Sequence, residues 1–190
     1  MYKCLDISKS FNNIGSTTIS TYKNGDFSLG SSSFPREKIK FNEPIYFYSI
    51  PFKFFLNEMK DNIQMTGQKI PMNPIRNAKA IYFLGAANNG HMSGNVTLSY
   101  KEVITKKFTL YFTDFTSNVA VFNDLPALKF DYLHTRSGIY EAIKPTIWFN
   151  CVIFNDEINF DEIEFEDNPF IHIFAITIKY GAEKNKNTNL

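Results

Sequence analysis

Polar side chains that can take paired hydroxyl bonds recur where this 190-residue sequence turns: Asp26, Asp61, Asn62, Gln68, Asn88, Asn89, His91 and His134. Carboxylates and amides bind vicinal hydroxyls, and an aromatic ring covers the apolar face of a sugar. Trp148, Tyr132 and Tyr22 are the candidate platforms. Each candidate also has a purely structural reading. Asp61 and Asn62 can close an Asx-turn before the strand that holds Ile63, and Trp148, inside "TIWFNCVIF", fits a core position.

Other chemistries have thinner support. A hard cation such as calcium needs six to eight oxygens, and Asp26 beside Ser28 is the best local start for a structural calcium site, the only cofactor the sequence suggests. His91, His134 and His172 have no paired spacing for a transition metal, and His172 in "FIHIF" reads as a satisfied strand histidine. There is no GxSxG elbow, no phosphate-cradling glycine loop and no Cys/His signature. Asp26 and Asp114 are the forced choice for a carboxylate pair, so the expectation is a non-catalytic protein. Cys4 and Cys151 form no CxxC pair and are expected to be buried free thiols.

The elements that must position these groups are strands. "KFTLYFTDF" alternates Phe108, Leu110 and Phe112 with Thr109, Tyr111 and Thr113, and "DEIEFED" sets Ile163 and Phe165 inward with Glu162, Glu164 and Glu166 on a solvated face. "AIYFLGA", "NVTLSY", "IWFNCVIF" and "FIHIFAITIKY" read as further strands, the last two apolar on both faces. In "FFLNEMKDNI" the spacing of Phe55, Leu56 and Met59 allows one helical turn. In "YFLGAANNGHMSG" the small residues Gly85, Ala86 and Ala87 permit close backbone packing. Asn88 and Asn89 can make tight turns, and Gly90 and Gly94 can take positive φ. With 20 Phe and 10 Tyr, turn signals between short strands and no βα alternation, the expected fold is all-β, an antiparallel two-sheet sandwich of the jelly-roll kind. One domain over residues 1–182 is expected, followed by a polar tail at 183–190.

Lys+Arg 20 against Asp+Glu 19 leaves no basic excess for a phosphate backbone, so nucleic acid is not an expected partner. No stretch has the length of a membrane span, and "MYKCLDISKSFNN" has no apolar leader region, which points to a cytoplasmic chain, or to a secreted one if a leader has been removed.

Six stretches in order, "FNNIGS", "GDFSLGSSSFPRE", "DNIQMTGQKIPM", "YFLGAANNG", "FTLYFTDFT" and "NPFIHIFAITI", resemble the galactose-binding-like β-sandwich modules of bacterial carbohydrate-active proteins. The resemblance implies a sandwich that binds carbohydrate through its rim loops. Two departures matter. The segment after "GDF" reads Ser28-Leu29-Gly30-Ser31 without a second Asp, which weakens a metal or sugar site there. The hairpin "SYKEVITKKF" has no Asp-Gly turn, so a different loop geometry is expected. The alternative is a structural or protein-interaction sandwich, with a protein partner or a second copy of the chain as occupant.

Overall fold

Residues 1–181 are described by the computed structural model, and the polar tail expected at 183–190 lies outside the described residues. In chain order the strands are β1 (Tyr2–Leu5), β2 (Ser16–Thr17), β3 (Phe34–Pro35), β4 (Pro44–Phe47), β5 (Ile50–Lys53), β6 (Ile63–Thr66) and β7 (Lys69–Ala87). They continue as β8 (Met92–Tyr100), β9 (Val103–Phe112), β10 (Leu125–Lys129), β11 (Leu133–Thr135), β12 (Gly138–Tyr140), β13 (Thr146–Phe165) and β14 (Asp167–Tyr180). Helical structure among the described residues is limited to 3-10 turns at Ser8–Ser10, Tyr22–Asn24 and Arg36–Lys38. The turn expected from Phe55, Leu56 and Met59 is not helical: Asn57 and Lys60 exchange backbone bonds around Glu58, whose φ of 55° is left-handed. No helix among the described residues is long and apolar enough to cross a membrane.

The fold is an all-β sandwich, built from one large antiparallel sheet in the order β1-β14-β7-β13-β8-β9, with β6 on β14 and β10 on β13. Two very long strands belong to both layers. From Trp148 to Ile153 β13 pairs with the second half of β7, and after register shifts between Ile153 and Glu162 it pairs with the first half of β7 and with β8. Bulges bend a strand and increase its twist, so the β7–β13 ribbon turns over on itself and lays the β8–β9 hairpin across the face of β7. Phe83 meets Phe108 with ring centroids 6.1 Å apart, although their strands are not neighbours in the sheet.

Gly85 makes this crossing possible. A Cβ there would sit 2.6 Å from Phe112 and 2.7 Å from the His172 carbonyl. Gly94 is not a positive-φ turn residue. It lies within β8, where a Cβ would press on Met65 and Ile171. The β8–β9 turn has Lys101 at φ 50° and Glu102 at φ 67°, so it makes the tight two-residue geometry usually given to Asn-Gly or Asp-Gly. Asp161 accepts the Lys101 N–H and braces it.

The opposite face of β14 is covered by irregular chain instead of a broad second sheet. Short ribbons β2–β3, β4–β5 and β11–β12 lie there, held by aromatic plugs. Phe27 stands 4.9 Å from Phe34 and 4.9 Å from Phe115, and Phe34 packs edge-on to Phe174 at 5.6 Å. Each fully buried phenylalanine contributes roughly 1.5–3 kcal/mol of transfer free energy, so a few such rings hold a loop layer that few backbone ladders support.

Candidate functional site

The loop layer is joined to the sheet by polar bonds as well as rings. Asp61, buried at 1% exposure, accepts the N–H groups of Gly15 and Ser16, the Ser16 hydroxyl and an Asn62 amide hydrogen. Arg36 stands 3.5 Å away and also donates to the carbonyls of Ser16 and Met59. Burial pushes the Asp61 carboxyl above the ordinary carboxylate range, against the pull of Ser16, Asn62, Gly15 and Arg36.

Asn62 then leads inward. Its amide donates to Asn13, and its Oδ1 accepts from His172 Nδ1 at 2.8 Å; His172 Nε2 in turn accepts from Asn88, which also donates to the Phe27 carbonyl at 2.6 Å. This network assigns the proton of the neutral imidazole to Nδ1. Burial lowers the His172 pKa to about 3. Asp61, Asn62 and Asn88 are therefore brought together, but inside the protein, where the Asp61 carboxylate and both amide nitrogens are engaged by neighbouring segments.

His134 is also interior. Its Nδ1 meets Thr17 Oγ1 at 2.9 Å, Thr17 meets Ser33 Oγ at 2.6 Å, and its Nε2 has no partner among the described residues. Burial lowers its pKa, with Glu37 and Thr17 opposing. Tyr132, half-buried, packs on this ring at 5.6 Å, and Tyr22, also half-buried, has the Lys23 ammonium 5.9 Å from its ring centroid. Gln68 closes the β6–β7 turn by accepting the Thr66 N–H and donating to the Gln64 carbonyl.

Asp26, Asn89 and His91 do reach solvent. Asp26 is held by its main chain, whose N–H donates to Ile14 and whose carbonyl accepts from Asn13. No group of three or more His, Cys, Asp or Glu side chains is gathered around it or elsewhere among the described residues. Asn89 takes a φ of 61° and Gly90 a φ of 110° in the turn after β7. Asp114 organises that turn: its Oδ2 accepts the Gly90 N–H at 2.7 Å, its Oδ1 accepts the Thr116 N–H, and its own N–H donates to His91 Nδ1 at 3.0 Å. Trp148 is a core residue whose Nε1–H donates to the Asp114 carbonyl.

An open concavity of about 470 Å³ lies beside His91, between the two layers. The strand β10 covers the edge of β13 only from Thr146 to Phe149, so the edge beyond Asn150 is exposed opposite β9. Tyr111, 47% exposed, and Phe122 pack against each other with ring centroids 5.3 Å apart and together form one aromatic wall. Asn123, Asn150 and Thr109 supply the polar groups, and Val121, Cys151 and Val152 complete the lining. Asn150 donates one amide hydrogen to the Tyr111 carbonyl at 2.7 Å, which aims the side chain and leaves its Oδ1 as an acceptor.

The loop that carries Phe122 and Asn123 is fixed from below. Asp124, 1% exposed, accepts the Thr113 N–H at 2.6 Å and the Thr113 hydroxyl at 2.8 Å, while that hydroxyl also accepts the Val121 N–H. His91 meets Phe122 edge-on at 6.1 Å. Cys151 is an exposed free thiol, not a buried one. Desolvation raises its pKa above the usual thiol value, with Lys179 opposing.

A family model described as the AziU2-like beta-sandwich domain matches residues 2–182. The chain belongs to this family. No curated protein matches it. The AziU2-like match extends over the sheet, the loop layer and the concavity together, so the cleft is formed within the family's own domain.

In this AziU2-like sandwich the sequence reasoning missed Tyr111, Phe122, Asn123, Asn150 and Thr109 as neighbours. One signal was present: Tyr111 and Thr109 fall on the outward positions of the alternating "KFTLYFTDF" pattern. The convergence with Asn150 depends on the bend of β13 and leaves no local mark.

Proposed function

We propose that this AziU2-like sandwich is a non-catalytic protein that binds a neutral carbohydrate in the cleft between β9 and β13. The observation that carries the reading is the pairing of one aromatic wall, Tyr111 packed on Phe122, with the amides of Asn123 and Asn150 and the Thr109 hydroxyl. Rings cover the apolar face of a pyranose, and amides take its hydroxyls. Among the lining residues there is no charged side chain, which favours a neutral sugar over a uronic or sialic acid. The ordered resemblance to galactose-binding-like modules supports the same ligand class.

A non-catalytic role is favoured because no carboxylate pair or nucleophile and base line the cleft, and the Thr17–Ser33–His134 hydroxyl chain is closed to solvent. The binding reading requires no cofactor. The experiment is saturation-transfer NMR against mixed mono- and oligosaccharides, with and without calcium, for wild type and Tyr111→Ala. Transfer to one sugar that fades in the variant supports the reading, and silence across the panel defeats it.

A protein-docking role is the second reading. Ile153, 75% exposed, stands beside Tyr82 and Tyr180 in a separate apolar concavity that the sugar reading does not use. A pull-down that depends on Ile153 but not on Asn150 would favour it.

A further inference from the structure

An imidazole accepts a main-chain N–H only through a nitrogen that carries no proton. His91 does so: its Nδ1 takes the Asp114 N–H at 3.0 Å. The neutral ring with its proton on Nε2 is therefore the one form that makes this bond, whereas an imidazolium, a donor at both nitrogens, sets one N–H against another. His91 is exposed, so its ring can exchange protons with water without any unfolding of the chain.

The bond joins two segments that build the cleft. His91 ends the turn after β7, where Asn89 and Gly90 take φ of 61° and 110°, and Asp114 stands just past β9 at the start of the loop that carries Phe122. The rings that meet Phe122 among the described residues are His91, edge-on at 6.1 Å, and Tyr111 at 5.3 Å. The imidazole thus ties the Asp114 main chain to the aromatic wall. Both roots of the loop are held separately, by Asp124 on Thr113 and by the Thr113 hydroxyl on the Val121 N–H, so losing the His91 bond frees the Phe122 ring and leaves the sandwich in place.

The ionisable groups on the elements around His91 are acidic or phenolic. Asp114 accepts the Gly90 and Thr116 N–H groups, Asp124 lies buried on Thr113, and Tyr111 supplies a phenol. On the neighbouring β14 and the bend before it, Asp167 lies against Gly67 and Glu166 accepts the Asn95 N–H. No lysine or arginine lines the cleft, so nothing cationic in it opposes a charge on His91.

We propose that His91 is a pH-sensitive positioning residue: neutral, it ties the turn after β7 to Asp114 and supports Phe122 against Tyr111; protonated, it drops the Asp114 N–H and loosens the aromatic wall. The inference rests on the cleft of the carbohydrate reading but not on its ligand. Anything bound through this wall is held at neutral pH and released in acid.

The test is isotope-edited NMR of the full chain between about pH 8 and about pH 5, the range in which histidines change charge, with no sugar present. A nitrogen–nitrogen coupling across the hydrogen bond should connect the Asp114 amide to His91 Nδ1 at the higher pH and vanish at the lower. Ring-to-ring Overhauser contacts from Phe122 to His91 and Tyr111 should weaken with the same midpoint as the His91 imidazole signals. His172, pushed down to about 3, stays neutral throughout, and burial lowers the His134 pKa as well, which separates their signals from those of His91. His91→Gln offers an acceptor that does not titrate, and its Phe122–Tyr111 contact should be the same at both ends of the range. His91→Leu, with no acceptor, should show the loosened wall at both. Absence of the coupling at the higher pH, a Phe122–Tyr111 contact that persists unchanged through the His91 titration, or the same pH-dependent loss in His91→Gln would each overturn the assignment. Because no sugar is used, these outcomes are independent of the saccharide screen, and circular dichroism of both variants separates a loosened wall from a lost fold.

Discussion

His172 shows how a single buried side chain can set a pH limit on the whole fold. Folded, its pKa is about 3, against about 6.5 for the unfolded chain. Above pH 6.5 both states are neutral at this residue and it adds no pH dependence. As the pH falls from 6.5 toward 3, the unfolded chain takes up a proton that the folded one refuses, so stability falls by up to about 1.4 kcal/mol per pH unit. Urea unfolding of wild type and His172→Gln checks this: the two stability curves should converge as the pH drops below 6.5, because the variant has no imidazole to protonate. Asp61, whose pKa burial raises, acts with the opposite sign at the low end and largely cancels in the comparison. Asn88→Ala tests the same network at neutral pH. Removing its amide leaves the Phe27 carbonyl and His172 Nε2 without a donor, and a loss of about 1–3 kcal/mol is expected by urea titration. Asparagine in a turn is as suitable for a ligand as for a buried carbonyl, which is why the sequence could name Asn62 and Asn88 as hydrogen-bonding residues but not their partners. Asn88's partners lie 61 and 84 positions away in the chain and Asn62's lie 49 and 110 away, and no spacing rule spans such distances.

At the scale of elements, the bent β7–β13 ribbon depends on close approach at Gly85. Gly85→Val forces Phe112 or the β14 backbone to move, and overpacking of this kind costs about 1–3 kcal/mol. Thermal unfolding should show the loss, and Gly85→Val with Phe112→Ala should recover part of it; no recovery would place the strain at the His172 carbonyl instead. The strands themselves were legible: period-two alternation marked β9 and the Ile163 and Phe165 positions of β13, and double-sided apolar runs marked the parts of β13 and β14 covered on both faces. The acidic run was read correctly as a solvated face, where Lys69 pairs with Glu162 and Glu164. The shape of the second layer was not legible. Residues 6–62 carry few ladder signals, because their order comes from rings inserted into the core and from the Asp61 and His172 bonds, neither of which repeats with a strand period. The same reason hid the cleft: Asn150 and Tyr111 meet only because β13 bends.

For the whole molecule, the question is whether this loop layer unfolds apart from the sheet. Its rings are continuous with the sheet core: Phe34 touches Phe174 of β14 and Phe130, while Phe27 touches His172 and Phe115. A shared core makes separate unfolding costly, since exposing the loops would strip one face of β14. The single tryptophan offers a direct probe, because Trp148 is buried on β13 beside Asp114 and not in the loop layer. Phe34→Ala removes a ring from a layer that does not include Trp148, and truncating a buried phenylalanine typically costs about 3–5 kcal/mol. If the two layers form one cooperative unit, the urea midpoint of Trp148 fluorescence falls together with that of far-ultraviolet circular dichroism, and the slopes match wild type. A fluorescence midpoint that stays at the wild-type value while the circular dichroism transition broadens would mean that the sheet stands without its loop layer. The polar network through Asn62, His172 and Asn88 would then fasten a detachable cover instead of completing a single core.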